Sequence, residues 1–194
     1  MGRRKLVFAT NNKHKLHEIK RIVGDGIEIL SLADIACSEE LPETSPTIAG
    51  NAIQKARYVK EHYGYDCFAD DTGLCVNALD GEPGIYTARY AGEGHDSEAN
   101  MALLLKNMEN KADRSAYFLT AIALVEGDET HLFEGKVEGR IAESKSGKGG
   151  FGYDPVFIPE GYDVTFAEMD EDSKNAISHR GRATTALMEY LLKN

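Results

Sequence analysis

Basic residues are in short supply in this sequence: 22 Lys and Arg against 32 Asp and Glu leave a net charge of −10 over 194 residues. A surface of that sign repels a nucleic-acid backbone, so no nucleic-acid partner is expected. Cysteine is scarce too. Cys37, Cys67 and Cys75 are odd in number and lack C-x-x-C spacing, which argues against a disulfide framework or a zinc site and fits a reducing cytosol. No apolar run approaches membrane length, and Leu6 to Thr10 is too short for a signal-peptide core, so a soluble, cytoplasmic protein without a membrane partner is expected. Internal repeats and low-complexity segments are also missing.

What is present suffices for one substantial core. With 42% hydrophobic residues, a single domain over residues 1–194 is expected. Lys5 to Thr10 reads as a strand, and Leu16, Ile19 and Val23 then recur at helical spacing up to Gly24. Ile27 to Leu32 reads as a second strand, and the polar stretch from Ser38 to Pro46 as a loop. Ile48, Ala52, Ile53, Ala56 and Val59 form a helix stripe closed by Tyr63-Gly64. Cys67 to Ala69 reads as a short buried strand running into Asp70-Asp71, with Leu74 to Val76 extended beyond. Ser97 is placed to cap a helix carrying Met101, Leu104, Leu105 and Met108. Tyr117 to Val125 is apolar on both faces, and a turn at 126–129 leads to strands at 130–133 and 137–141. A last helix carries Ala183, Ala186, Leu187, Tyr190 and Leu191. Alternation broken by a hairpin predicts an α/β fold with a mixed sheet.

Three clusters carry chemistry. In Thr10-Asn11-Asn12-Lys13-His14-Lys15, a loop between strand and helix aims backbone N–H groups and the helix dipole at one spot, the makings of an anion cradle. An Asn N-cap followed by solvated lysines reads the same segment without a ligand. It is not a P-loop, since the Gly-x-x-x-x-Gly-Lys spacing is absent. Asp70-Asp71-Thr72-Gly73 closes an apolar strand, where a carboxylate needs charge or hydrogen bonds to be tolerated. Mg²⁺ is one such source of charge, and an ordinary Asp-rich turn is the alternative. Adjacent strand side chains point to opposite faces, so one aspartate should face ligand and metal while the other braces the loop or activates water. Glu43 and Lys55 are candidates to join them, because hard cations prefer oxygen ligands.

The third cluster is Gly149-Gly150-Phe151-Gly152-Tyr153-Asp154-Pro155, followed downstream by Ser178-His179-Arg180-Gly181. Phe151 and Tyr153 offer aromatic faces, Asp154 accepts protons from a ring, and His179 and Arg180 donate to ring oxygens; together these suit a nucleobase. Gly147 to Gly152 matches Gly-x-Gly-x-x-Gly formally, but Pro155 follows where a dinucleotide fingerprint demands a helix. Lys13, Lys15, Lys174, His179, Arg180 and Arg182 supply local positive charge on an acidic body. His14-x-x-His17, His62, His95 and His131 read as ordinary histidines, and Arg89 as a surface or interface residue.

In this order, the clusters resemble the noncanonical purine nucleoside triphosphate pyrophosphatases, the inosine triphosphatase or dITP/XTP pyrophosphatase family. The likeness runs from Phe8–Lys15 through Ala69–Leu74 and Pro83–Tyr90 to Gly150–Pro155 and Ser178–Gly181. The resemblance implies an elongated mixed sheet with flanking helices forming two lobes around a central cleft, a homodimer, and Mg²⁺-dependent cleavage of ITP, dITP and XTP to monophosphate and pyrophosphate. It also implies site roles. Thr10, Asn12 and Lys15 would hold the triphosphate, with Asn11 standing where many members have glycine. Asp71 would be the proton acceptor and a metal ligand, Glu43 a second acidic ligand, Lys55 a phosphate-side lysine, and Thr72 and Lys174 substrate contacts. Phe151, Gly152, Tyr153, Asp154, His179 and Arg180 would enclose the base. A pyrophosphatase preferring modified pyrimidines, as in the related Maf-type proteins, and a nucleotide-binding or single-stranded RNA-binding module without chemistry are the rival readings.

Overall fold

The core of this protein is split. The computed structural model, which describes residues 3–193, divides into two compact units interleaved along the chain. One comprises residues up to Asp71, Thr120–Gly135 and residues from Gly181 onward; the other comprises Thr72–Leu119 and Lys136–Arg180.

Six strands form one mixed sheet in the order β2-β1-β3-β4-β5-β6. They are β1 (Arg4–Phe8), β2 (Ile27–Leu30), β3 (Cys67–Val76), β4 (Ser115–Glu126), β5 (Glu129–Ile141) and β6 (Phe157–Pro159). Parallel pairing joins β1 to both β2 and β3, while β5 and β6 are antiparallel. Leu6, Val7 and Phe8 are all buried, as a central parallel strand requires, and Phe8 stacks on its register partner Phe68 at 4.7 Å.

The helices are α1 (Lys13–Val23), α2 (Ile48–Tyr63), α3 (Ser97–Asn107), α4 (Glu171–Ile177) and α5 (His179–Lys193). Helix α1 starts at Asn12, whose side chain accepts the His14 and Lys15 N–H groups, and stops at Gly24 with φ 69°. Helix α2 is capped by Thr47 and ends on Gly64 in the left-handed conformation. In the first unit, Leu6, Phe8, Ile19, Ile29, Phe68, Ile122, Leu124 and Leu187 pack as one apolar cluster. Leu74, Leu104, Met108, Phe118, Val156, Phe157 and Phe166 do so in the second.

Several boundaries differ from the sequence expectation. Strand β3 runs unbroken through Asp70 and Asp71, because lysines from α1 and α2 meet the acidic segment where a turn would otherwise have exposed it. Strand β5 is continuous where two strands were expected. Asp96, not Ser97, caps α3, accepting from the Glu98 and Ala99 N–H groups. Helix α5 begins at His179, so His179 and Arg180 belong to its first turn, and α4 precedes it. Among the described residues, no helix is long and apolar enough to cross a membrane.

Candidate active site

Lysines and carboxylates meet at the C-terminal ends of β1 and of the first half of β3, within the first unit. Asp70 is 1% exposed, and Lys15 Nζ lies 3.2 Å from both its carboxylate oxygens. Lys55 projects from the buried stripe of α2, donates to the Asp70 carbonyl at 2.7 Å, and pairs with Glu43 Oε1 at 2.7 Å. Burial pushes the Lys55 ammonium down, but the attraction of Asp70, Glu43 and Asp71 outweighs it and holds the group above the usual lysine value. Burial drives Asp71 the other way, up to about 6; Lys55 and Lys15 pull it down, and Glu43 and Asp70 add to the rise.

Glu43 comes from the 38–46 loop, which α2 holds at several points. Gln54 accepts the Thr44 N–H and donates back to Thr44 Oγ1, both at 2.8 Å, and Asn51 Oδ1 accepts the Ser45 N–H at 2.8 Å. At the start of α1, Thr10 Oγ1 accepts the Asn12 N–H at 3.1 Å, so the cap residue is itself held. Asn11, Lys13 and His14 are exposed, Thr10 and Asn12 half-buried. The reading of Lys15 as a solvated lysine fails, because Asp70 pairs with it across 55 residues of sequence.

The donor chemistry bears on the metal implied by the resemblance. Among the described residues, no three His, Cys, Asp or Glu side chains form a ready-made cage. Glu43 and Asp71 nevertheless act on each other and on the same lysine. Two neighbouring carboxylates fit Mg²⁺, which binds through one or two carboxylates plus substrate phosphates and retains waters.

The second unit holds an aromatic and cationic group. Asp154 Oδ2 accepts from Lys174 Nζ at 2.8 Å and from the Phe151 N–H at 2.9 Å, with both charged side chains 6% exposed. Gly150 makes this possible: its φ is +68°, and a side chain there would collide with the Asp154 carboxylate. The half-buried Phe151 ring has Lys174 Nζ at 4.8 Å and Arg180 Cζ at 5.0 Å from its centroid. His179 stacks on Phe118 at 4.5 Å, and Arg180 is 3% exposed.

Two expectations for this group change. Tyr153 does not offer an open face: it is 4% exposed, packs in the second apolar cluster, and donates its hydroxyl to the Thr87 carbonyl at 2.7 Å. An aromatic next to a glycine-rich turn looks available in sequence, but a core between β4, β6 and the 3₁₀ turns claims this one. Asp154 is not an open acceptor on its Oδ2, which already takes two donors. Gly152, with φ +60°, and Thr72, next to Asp71 in β3, are half-buried, while Arg182 is exposed.

The structure therefore brings together Lys15, Lys55, Glu43, Asp70 and Asp71 in one unit, and Phe151, Asp154, Lys174, His179 and Arg180 in the other. Asn51 and Gln54, which hold the loop carrying Glu43, escape a motif reading, and Thr87 lies in the Pro83–Tyr90 segment without a role assigned to it. For the first two the available signal is polarity on a helix whose neighbouring positions are apolar.

The sequence model of the Ham1 family matches residues 6–190. The dITP/XTP pyrophosphatase of Flavobacterium johnsoniae is 54% identical over 187 residues, covering 96% of this chain and 97% of the relative. Among solved structures, the Staphylococcus aureus Ham1 protein superposes with a TM-score of 0.90 at 39% identity, covering 98% of this chain and 99% of the other. A HAM1 protein from Coxiella burnetii superposes with a TM-score of 0.91 at 36% identity, covering 98% and 100%. Such likeness over nearly the whole length, with these residues grouped as described, leaves one conclusion: the chain belongs to the Ham1 family.

Proposed function

We propose that this chain hydrolyses noncanonical purine nucleoside triphosphates, dITP, XTP and ITP, to the monophosphate and pyrophosphate. The observation that carries the reading is the grouping of Asp71, Glu43, Lys15 and Lys55 where the first half of β3 ends, in a chain 54% identical to a dITP/XTP pyrophosphatase. Without a metal, burial pushes the Asp71 carboxyl up to about 6, so it is ionised at neutral pH and able to take a proton. A nucleoside triphosphate carries on one molecule the phosphates that suit Lys15 and Lys55 and the ring that suits Phe151, Arg180 and His179.

In the proposed step, Asp71 takes a proton from water as the water oxygen bonds to the α-phosphorus. The bond from that phosphorus to the α–β bridging oxygen breaks, and pyrophosphate leaves. Lys15 and Lys55 offset the charge on the phosphate oxygens, and Asp70, already tied to Lys15, keeps that lysine in place. Glu43 and Asp71 would hold Mg²⁺, which when bound supplies further charge neutralisation and acidifies a coordinated water. Arg180 only donates, so it favours the acceptor at a 6-oxo position over the amino donor that adenine would present there, by about 1–3 kcal/mol. The same reading expects a cytoplasmic protein and a homodimer; light scattering of the purified protein tests the dimer.

The deciding assay incubates purified protein with Mg²⁺ and a panel of nucleoside triphosphates, and scores pyrophosphate against orthophosphate. Pyrophosphate chiefly from dITP, ITP and XTP is expected. Orthophosphate release, a pyrimidine preference or no turnover would overturn the proposal.

A further inference from the structure

The 3₁₀ turn Gly84–Arg89 meets the stretch of β3 that follows Thr72 and the Phe151–Asp154 loop, both in the second unit, through one residue. Thr87 Oγ1 accepts the Leu74 N–H at 2.9 Å and donates to the Gly84 carbonyl at 2.6 Å. Its carbonyl accepts the Tyr153 hydroxyl at 2.7 Å. Leu74 lies three residues beyond Asp71 on β3, and Tyr153 lies between Phe151 and Asp154. The footing of Thr87 is firm. Asn100 on α3, 3% exposed, donates to the Ala88 carbonyl at 2.9 Å and accepts the Ala91 N–H at 2.7 Å, and Asn107 donates to the Tyr90 hydroxyl at 2.8 Å.

We infer that Thr87 is a positioning residue that holds the stretch of β3 from Thr72 to Leu74 and the loop carrying Phe151 and Asp154 in one fixed register. This inference rests on the function proposed above. A buried strand N–H must find an acceptor, and at Leu74 that acceptor is a side chain, so the course of β3 just beyond the acidic pair depends on one hydroxyl. The Tyr153 ring is clamped in the core, and its hydroxyl has a single backbone acceptor here, so its position follows the turn that bears Thr87. Thr72, which the resemblance makes a substrate contact, and the loop carrying Phe151 then both depend on the same residue.

The test compares Thr87→Val, Thr87→Ser and Tyr153→Phe by steady-state kinetics with XTP and ATP, alongside thermal unfolding. Thr87→Val keeps the shape and loses the hydroxyl; kcat should fall and KM for XTP should rise, each roughly two- to tenfold, the worth of one net hydrogen bond. Preference for XTP over ATP should narrow with it. Thr87→Ser, which keeps the hydroxyl, should recover both parameters to within about twofold of wild type. Tyr153→Phe cuts only the link to the loop and should move KM more than kcat. A Thr87→Val protein with a lowered melting temperature but unchanged kcat, KM and base preference overturns the inference, since a purely structural role predicts that pattern. Should Thr87→Val not fold, Tyr153→Phe decides alone, and an unchanged KM overturns the inference. If the wild type releases no pyrophosphate, the functional reading fails first and this inference falls with it. That failure appears in the wild type, whereas failure of the positioning role appears only in the variants.

Discussion

Lys15 Nζ stands 3.2 Å from each carboxylate oxygen of Asp70, and this bidentate contact separates the duties of two adjacent aspartates. Asp70 is 1% exposed and committed to a lysine of α1, so its charge organises the phosphate-side lysine. Asp71, next along the strand, is pushed up to about 6 by burial that Lys55 and Lys15 only partly offset. The first aspartate is stabilised by its lysine, and the second is held with a raised pKa, at a cost in stability when ionised.

Asp71→Asn should therefore lower pyrophosphate release by about 10²–10⁴-fold, the usual contribution of a general base. Binding should survive. Calorimetry with dITP should give a Kd within about tenfold of wild type; near-normal turnover would remove Asp71 from the chemistry.

The same group predicts a pH dependence of stability in metal-free protein. The folded value, about 6, lies above the ordinary 3.8, so between these values the native state binds more protons than the unfolded chain. Stability from this residue is thus complete below about pH 4 and lost as the pH rises through about 6, by roughly 2–3 kcal/mol. Urea unfolding of wild type and Asp71→Asn in chelator isolates the effect. Carboxylates such as Asp170, held low by the Ser173 N–H, act with the opposite sign but cancel in the comparison. The wild type should lose stability relative to the variant as the pH rises from about 4 to 6, and a difference that does not change with pH would contradict the assignment.

Lys174→Met should destabilise the protein by about 3–5 kcal/mol, because it leaves the buried Asp154 carboxylate without its cation. A fall in the urea midpoint at unchanged m-value measures it. Adding Asp154→Asn should recover part of the loss, since the buried charge then disappears as well.

Glu43→Gln should raise the Mg²⁺ concentration for half-maximal pyrophosphate release on the order of tenfold, as expected for losing one charge-assisted contact of about 1.4 kcal/mol. Chelation should abolish turnover in the wild type. An unaltered Mg²⁺ requirement would dissociate Glu43 from the metal, leaving its 2.7 Å pair with Lys55 as its whole role.

Much of the fold is legible in the sequence where the signals are local. Asn12 and Gly24 bracket α1, Thr47 and Gly64 bracket α2, and Gly127 turns β4 into β5. The misread places are those where distant chain intervenes. Strand β3 passes straight through two aspartates because Lys15 and Lys55 arrive from α1 and α2. Tyr153 looks like a ligand face until the second core encloses it. The 38–46 stretch is a loop as expected, and only the fold shows that Asn51 and Gln54 hold it.

By itself the sequence determined the elements, the sign of the surface charge and the kinds of chemistry available, since caps, periodicity and residue type act within a few positions. Tertiary structure alone decided which charges meet. Apart from the family resemblance, nothing along the chain tells Asp70 from Asp71, or marks Asp154 as the partner of Lys174 twenty residues away, because burial and ion pairing are set by whatever packs against a side chain. Those same environments tie one aspartate to a lysine and raise the pKa of its neighbour.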